Sequence, residues 1–172
     1  MPSPVGHALG GLIVGLALNP RALGTLGTLG TVACAAIAPD LDFLWGRHNM
    51  ETHSLGAAVL AGLAALACTR GKNPKLALAV TLAWSTHVLF DWLGSDDTPP
   101  LGVMALWPLN STFYFADAFV FEAISRRYWL PNFVTHNAWA VVKETLTLGP
   151  PFLLLTGLRW RARRRSRPPG TA

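Results

Sequence analysis

The hydrophobic positions of this chain fall into five long runs that are separated by short polar turns. The runs are Ala8–Leu18, Ala22–Ala38, His53–Ala67, Leu76–Leu93 and Ala138–Leu158. At about 1.5 Å per residue, a helix over Leu76–Leu93 is about 27 Å long, which nearly crosses a hydrocarbon core of about 30 Å. The pattern therefore predicts an all-α fold, a polytopic membrane helix bundle with about five spans.

A shorter apolar run, Thr112–Ser125, lies between the fourth and fifth of these runs and carries Asp117 and Glu122 inside it. A helix needs at least about 17 residues to cross a bilayer, and charged side chains inside a membrane are costly. We therefore predict a short re-entrant or interfacial helix at this position instead of a sixth span.

Several residues indicate where the helices begin, end and pack. Asn19-Pro20-Arg21 predicts the end of the first helix, and Thr52 is the predicted N-cap of the third, which His53 would open. Pro150-Pro151 predicts a kink in the last helix. Gly11 and Gly15 have the spacing that lets two membrane helices approach closely, so they predict a packing face.

Composition supports the membrane interpretation. Hydrophobic residues make up 51% of the 172 residues and charged residues 13%, whereas soluble domains carry about 25% charged residues. A chain of this length has room for one domain, which we place at residues 1–160, followed by a basic and disordered tail at 161–172. Cys34 and Cys68 lack a CxxC spacing, so they indicate neither a disulfide framework nor a thiolate metal site.

The net charge of +5 arises mainly from segment 159–167, where six of nine residues are arginine. Beside a hydrophobic run, this pattern is typical of a topological anchor, and we expect no nucleic-acid partner. With five spans, four of the 14 basic residues lie on the side of loops 39–53 and 94–137, and ten lie on the other side. The positive-inside rule then predicts a cytoplasmic tail and a non-cytoplasmic face for those loops.

Polar chemistry concentrates directly after the second run, in Pro39-Asp40-Leu41-Asp42, His48 and Thr52-His53-Ser54. Pro39 ends the preceding helix and presents both carboxylates at its carboxyl end, where the helix dipole favours a cation. Asp and His are side chains that ligate divalent metals and exchange protons near neutral pH. This stretch therefore predicts a metal site at a membrane boundary.

His87 and Asp91 add to this prediction from the far end of the fourth run. Their i, i+4 spacing places them on one face of a helix, so both can point at one metal ion. A His and an Asp on one turn of a membrane helix are costly unless they have partners or a function, and we favour a functional role. His136 lies in the polar stretch Pro131–Asn137, and we predict that it has no part in the site.

Taken in order, these motifs resemble a known family. The motifs are Gly6-His7, Pro39-Asp40-Leu41-Asp42, His48 with Thr52-His53-Ser54, His87-x-x-x-Asp91, Leu106-Trp107-Pro108 and Asp117. Over residues 5–125, their order and spacing resemble the YdjM-like family of LexA-binding, inner-membrane-associated, metal-dependent hydrolases. The family has an arginine after the first histidine of its third motif, where this chain has Asn49. The resemblance implicates these side chains: His7, Asp40, Asp42, His48, His53, His87, Asp91 and Asp117.

The residues and the resemblance together predict a membrane-bound, metal-dependent hydrolase. The predicted metal ligands are His7, His48, His53, His87 and Asp91, and the predicted catalytic carboxylates are Asp40, Asp42 and Asp117. A catalytic zinc uses about three protein ligands, so this set predicts either two divalent ions or one ion with a general base and supporting carboxylates, zinc being the preferred metal. Metal-activated water would attack an ester or phosphoester of a lipid or other amphiphile near the membrane interface.

Two alternatives from other classes remain open at this point. Intramembrane His and Asp also serve as ion or proton pathways in small transporters. A conduit needs titratable groups in series across the bilayer, whereas here they gather toward one end of the predicted helices. A structural membrane protein whose helices are joined by a metal, without catalysis, is the second alternative.

Overall fold

The computed structural model describes residues 1–19, 24–96 and 99–165, and these residues form helices and irregular loops with no strand. The helices are α1 (Pro4–Leu18), α2 (Gly24–Ile37), a 3₁₀ helix (Ala38–Trp45), α3 (Leu55–Cys68), α4 (Pro74–Trp92) and α5 (Phe133–Arg165). The all-α prediction is therefore confirmed. The start of the predicted second span, Ala22 and Leu23, lies outside the described residues, as does the Pro20-Arg21 part of the predicted turn.

Local signals explain where the first and third helices begin. Ser3 caps α1 by accepting a hydrogen bond from the Gly6 amide, and α1 ends at Leu18 before Asn19 in a left-handed conformation (φ 49°). The cap of α3 is Ser54, whose hydroxyl accepts from the Ala57 amide at 3.0 Å. The prediction of Thr52 as the cap is therefore wrong, as is the start at His53.

The prediction of a helix at Thr112–Ser125 is also wrong, because this segment is irregular in the structure. Its backbone groups bond to distant residues instead of to their own helical neighbours. Tyr114 and Val103 exchange both backbone hydrogen bonds at 2.8 and 2.9 Å, and the Phe121 carbonyl accepts from the Ser95 amide at 2.9 Å. Aromatic residues favour such extended pairing over a helix.

The last helix is longer than the sequence predicts. α5 has 33 residues, contains Pro150 and Pro151 within it, and continues to Arg165. Residues 161–165 are therefore helical, in contrast to the disorder predicted from residue 161 onward, and residues 166–172 lie outside the described residues. Arg159 donates to the Asn19 side chain at 2.6 Å, so this part of α5 lies beside the carboxyl end of α1.

Small residues allow the helices to pack closely. A Cβ atom added to Gly11 would lie 2.4 Å from the Val32 carbonyl oxygen, so α1 meets α2 at backbone distance there. Gly62 has the same role between α3 and α4, where an added Cβ would collide with the Thr81 hydroxyl at 1.8 Å. The core between the helices is made of small apolar side chains, such as the fully buried Ala36 and Ala79.

One continuous helical stretch of the described residues is long and apolar enough to cross a membrane. It is Gly24–Trp45, 22 residues that join α2 to the 3₁₀ helix. The helices Pro4–Leu18 and Leu55–Cys68 are apolar but shorter. The polytopic arrangement with five spans therefore stays a prediction.

Candidate metal centre

Four chain segments bring six of the predicted site residues to one end of the helices. α1 contributes His7, the 3₁₀ helix contributes Asp40 and Asp42, the turn before α3 contributes His53, and the last part of α4 contributes His87 and Asp91. All of these side chains are buried except that of Asp40, which is 21% exposed.

The closest group surrounds the Asp91 carboxylate. Its Oδ2 atom lies 2.9 Å from His87 Nε2 and 3.4 Å from His53 Nε2, and its Oδ1 atom lies 3.3 Å from His7 Nε2. Asp40 Oδ1 lies 3.7 Å from both His53 Nε2 and His87 Nε2. Ring nitrogens and carboxylate oxygens from four segments therefore converge on one small volume, which we call the His/Asp centre (His7, Asp40, His53, His87 and Asp91).

Six buried atoms of the centre make no hydrogen bond among the described residues, although several of them lie at ion-pair distance from one another. They are both ring nitrogens of His7, the Nε2 atoms of His53 and His87, and both carboxylate oxygens of Asp91. A buried polar group without a partner costs about 1–3 kcal/mol, more when it is charged. A divalent ion takes one ring nitrogen from each imidazole, so it would engage the Nε2 atoms of His53 and His87 together with the Asp91 carboxylate, and imidazole and carboxylate are ligands that zinc accepts. The buried His and Asp groups can thus hold a metal ion.

The outer nitrogens of two histidines are held by further partners. His87 Nδ1 lies 2.7 Å from the Ala36 carbonyl oxygen, to which it can only donate. His53 Nδ1 lies 3.0 Å from Asp42 Oδ2. A neutral histidine that donates from one nitrogen presents the other unprotonated, in the form that binds a metal. Both Nε2 atoms are therefore oriented toward the centre as ligands require.

Asp42 holds three donors in place from outside the centre. Besides His53, its carboxylate accepts from His48 Nδ1 at 2.9 Å and from the Thr52 hydroxyl at 2.7 Å. The carboxylate is fully buried, and its described partners are these three side chains. The structure thus places Asp42 where it orients histidines, and a direct catalytic role for it stays a prediction.

His48 and Asp117 lie differently from the other predicted residues. His48 can offer a ligand atom together with Asp40 and His53, all within 4.8 Å of one another, but its nitrogens also contact Asp42 and Arg126. Asp117 is exposed in the irregular segment and belongs to none of the groups of possible ligands among the described residues. Their assigned roles stay predictions.

His136 lies in α5 and not in the loop that the sequence predicts, and it belongs to none of the groups of possible metal ligands among the described residues. Its Nε2 atom donates to the Ala123 carbonyl at 2.8 Å, and its Nδ1 atom lies 3.7 Å from Glu122. Both partners belong to the irregular segment. The side chain therefore has ordinary structural partners.

A cavity of about 530 Å³ opens beside the His/Asp centre. Asp40 and His48 form its polar wall toward the centre, and Arg126 lines it from the segment before α5. Partial burial lowers the pKa of the Arg126 guanidinium, while Asp40 and Asp96 oppose this shift. Arg47, the arginine beside His48 in sequence, pairs instead with Glu51 on the surface. Arg126 thus reaches the site from a distant part of the chain, and Arg127 lines the same cavity.

Glu144 is a buried residue near the site that the sequence analysis did not single out. It lies in α5, and its carboxylate accepts from the Ser3 amide at 2.6 Å and from the Ser3 hydroxyl. These bonds fix Ser3, which lies one helical turn before His7 at the start of α1. Nothing in the local pattern distinguishes this glutamate from a solvated charge beside Lys143.

The structure defines the class as an all-helical protein with a buried His/Asp cluster that can hold a metal ion. The family model described as YdjM inner membrane protein matches residues 1–164, so the chain belongs to that family. The resemblance that the motifs indicate is thereby confirmed. No curated protein and no solved structure matches this chain.

Proposed function

We propose that this chain is a membrane-bound, metal-dependent hydrolase that cleaves an ester or phosphoester of a lipid or other amphiphile. The observation that carries the proposal is the convergence of unpartnered, buried nitrogens and oxygens on one point beside a cavity. Family membership is consistent with this activity.

The ligands in this proposal are His7, His53, His87 and Asp91, whose facing atoms are buried. A divalent ion, with zinc as the preferred metal, supplies Lewis acidity that lowers the pKa of a bound water and polarises the bond to be cleaved. Asp40 faces both the centre and the cavity, so it is placed to accept the proton of the attacking water. Ligands held from outside by Ala36 and Asp42 keep this geometry fixed.

An amphiphilic substrate fits the surroundings of the cavity. Phe43, Ile124 and Trp129 contribute apolar wall next to the charged groups. Large side chains of the same region are exposed, Trp45 by 56% and Trp129 by 67%. Tryptophan is enriched where proteins meet the membrane interface, since its ring is apolar and its N–H is polar. This region is therefore suited to take up a molecule from the interface.

The transporter alternative receives less support from the arrangement of buried groups. A proton or ion path needs titratable side chains along the length of the bundle. In the described helices, the core away from the site is apolar, with Val32, Leu76 and Val80 among its buried residues. A structural metal staple would share the same ligands, and the assay below separates it from an enzyme.

The proposal is tested by metal analysis and a hydrolysis screen on the full chain purified in detergent. We expect a retained divalent ion, and cleavage of short-chain phosphoester or carboxylic ester amphiphiles that stops when the metal is removed and returns when it is added back. Folded protein that neither retains nor binds a metal on titration would overturn the proposal. Bound metal without cleavage of either ester class would favour the structural staple.

We further propose that the chain crosses the inner membrane five times, with the site on the non-cytoplasmic face. His7, Asp40 and Asp91 lie at one end of the helices, while Arg159 and Arg163 contact residues at the opposite end, Asn19 and Thr25. The basic end of α5 is therefore separated from the site by the length of the bundle. The positive-inside rule assigns that basic end to the cytoplasm.

Cysteine labelling tests this topology in a variant whose own cysteines, Cys34 and Cys68, are replaced by alanine. We expect Asp96→Cys to react with a membrane-impermeant reagent in intact cells, and Ser166→Cys to react only after the membrane is opened. Labelling of both positions from the same side would contradict the five-span arrangement.

A further inference from the structure

Arg126 lines the cavity but has no role in the proposed chemistry so far. Its Nη2 atom donates to His48 Nε2 at 3.0 Å, and its guanidinium carbon lies 3.8 Å from the centre of the Phe43 ring. Phe43 in turn stacks on His48 with a ring separation of 3.8 Å. The guanidinium is thus held in one position by two stacked rings.

These described contacts leave most of the binding capacity of the guanidinium unused. An arginine carries five N–H donors, and His48 accepts from one of them, while the Phe43 ring contacts the flat face. The His48 ring accepts there because its Nδ1 atom is engaged with Asp42. Arg126 therefore presents a charged and oriented fork to the cavity, and such a fork matches a phosphate group in two-pronged geometry.

The charges of the cavity restrict which ligand can use this fork. Two carboxylates, Asp40 and Asp96, line the cavity, and Arg127 lines it as a second arginine beside Arg126; an anion is therefore repelled near Asp40 unless a bound cation offsets that charge. A metal at the His/Asp centre and Arg126 would together provide positive charge on two sides of a ligand. A phosphate group can contact both, whereas a carboxylic ester carries no charge for the arginine to bind.

We propose that Arg126 binds the phosphate group of the amphiphilic substrate and so makes this site selective for phosphoesters over carboxylic esters. This inference rests on the proposed function, because it concerns the substrate of the same site. Arg126 is then a binding residue, oriented by His48 and Phe43, and the apolar wall that includes Trp129 receives the rest of the molecule.

The test measures binding to metal-loaded full chain in detergent by titration calorimetry. The probe is a water-soluble, short-chain phosphonate analogue of phosphatidic acid, which cannot be cleaved at phosphorus. Dihexanoylglycerol is the matched probe without phosphorus, and inorganic phosphate distinguishes a lipid headgroup from free phosphate. We expect Arg126→Gln to weaken phosphonate binding about 10- to 100-fold while the metal content stays unchanged.

Arg161→Gln is the matched control, since it removes the same charge from the exposed far end of α5, and we expect it to bind like the unmodified chain. Arg126→Lys keeps the charge without the fork, so an intermediate affinity is expected and remains measurable if Arg126→Gln fails to fold. Arginine-dependent binding of the phosphonate alone supports a lipid headgroup, and equal dependence for inorganic phosphate supports free phosphate.

Unchanged phosphonate affinity in Arg126→Gln, or dihexanoylglycerol binding as tight as the phosphonate, would overturn the inference. The metal content is measured on the same samples. Absence of metal from the unmodified chain is a failure of the proposed function, whereas bound metal with arginine-independent phosphonate binding is a failure of this inference alone.

Discussion

Substitution of His87 by glutamine is expected to remove stoichiometric metal from the purified protein. His87 Nε2 lies 2.9 Å from Asp91 and 3.7 Å from Asp40, and its ring stacks on that of His7 at 3.8 Å. Removing this nitrogen takes one ligand from the middle of the set. Loss of a supporting contact to a ligand already lowers metal affinity about 10- to 100-fold, so we expect more than about a 100-fold loss here.

The control for this prediction is the same substitution at His136. That ring donates to the Ala123 carbonyl from α5 and is half-buried, so His136→Gln changes a histidine without touching the His/Asp centre. The two variants are compared in two measurements. Elemental analysis gives the metal content, and titration of metal-depleted protein gives the metal affinity. Equal metal content in both would refute the assignment of His87 as a ligand.

Much of the helical architecture is readable from the sequence because its signals are local. The run Leu76–Leu93 and the helix α4, Pro74–Trp92, agree within two residues at each end, since a continuous apolar run after a proline has few other solutions. The shared face of His87 and Asp91 likewise follows from the helical repeat alone. Such features need no knowledge of distant partners.

The irregular segment shows where this reasoning fails. Thr112–Ser125 is apolar and long enough for a helix, yet Tyr114 pairs with Val103 and Phe121 accepts from Ser95. The choice between a helix and this loop depends on whether distant backbone groups are available, and a local pattern does not contain that information. The N-cap of α3 is a similar case, because Asp42 engages the Thr52 hydroxyl and leaves the cap to Ser54.

The residues of the candidate site also fall into two groups, those that the sequence identifies and those that it does not. Most of its histidines and aspartates are identifiable from their residue types, because those side chains are costly to bury without a function, and His7 is identifiable from the family resemblance. Arg126 and Glu144 were not found, since each reaches its partner across a long stretch of chain: 78 residues separate Arg126 from His48, and 141 separate Glu144 from Ser3. On the sequence alone, both resemble ordinary charges at the end of an apolar run.

Asp40→Asn is expected to lower the turnover number for the cleaved ester about 10²- to 10⁴-fold, the usual contribution of a general base. The Asp40 side chain is the partly exposed carboxylate of the centre, and it lines the cavity where a substrate would lie. Asparagine keeps the size and one oxygen but cannot accept the proton of the attacking water. We expect metal to be retained, because the nitrogens of three histidines and the Asp91 carboxylate remain.

Asp96→Asn provides the matched control, because Asp96 lines the same cavity and its carboxylate accepts from the Gly102 amide at 3.1 Å. Both variants remove one negative charge from the cavity wall, but only Asp40 lies beside the ring nitrogens of His53 and His87. We expect near-normal turnover in Asp96→Asn. Turnover is measured under saturating substrate with metal content determined in parallel, which separates loss of the base from loss of the ion. If Asp40→Asn turned over substrate as fast as Asp96→Asn, another group would have to take the proton.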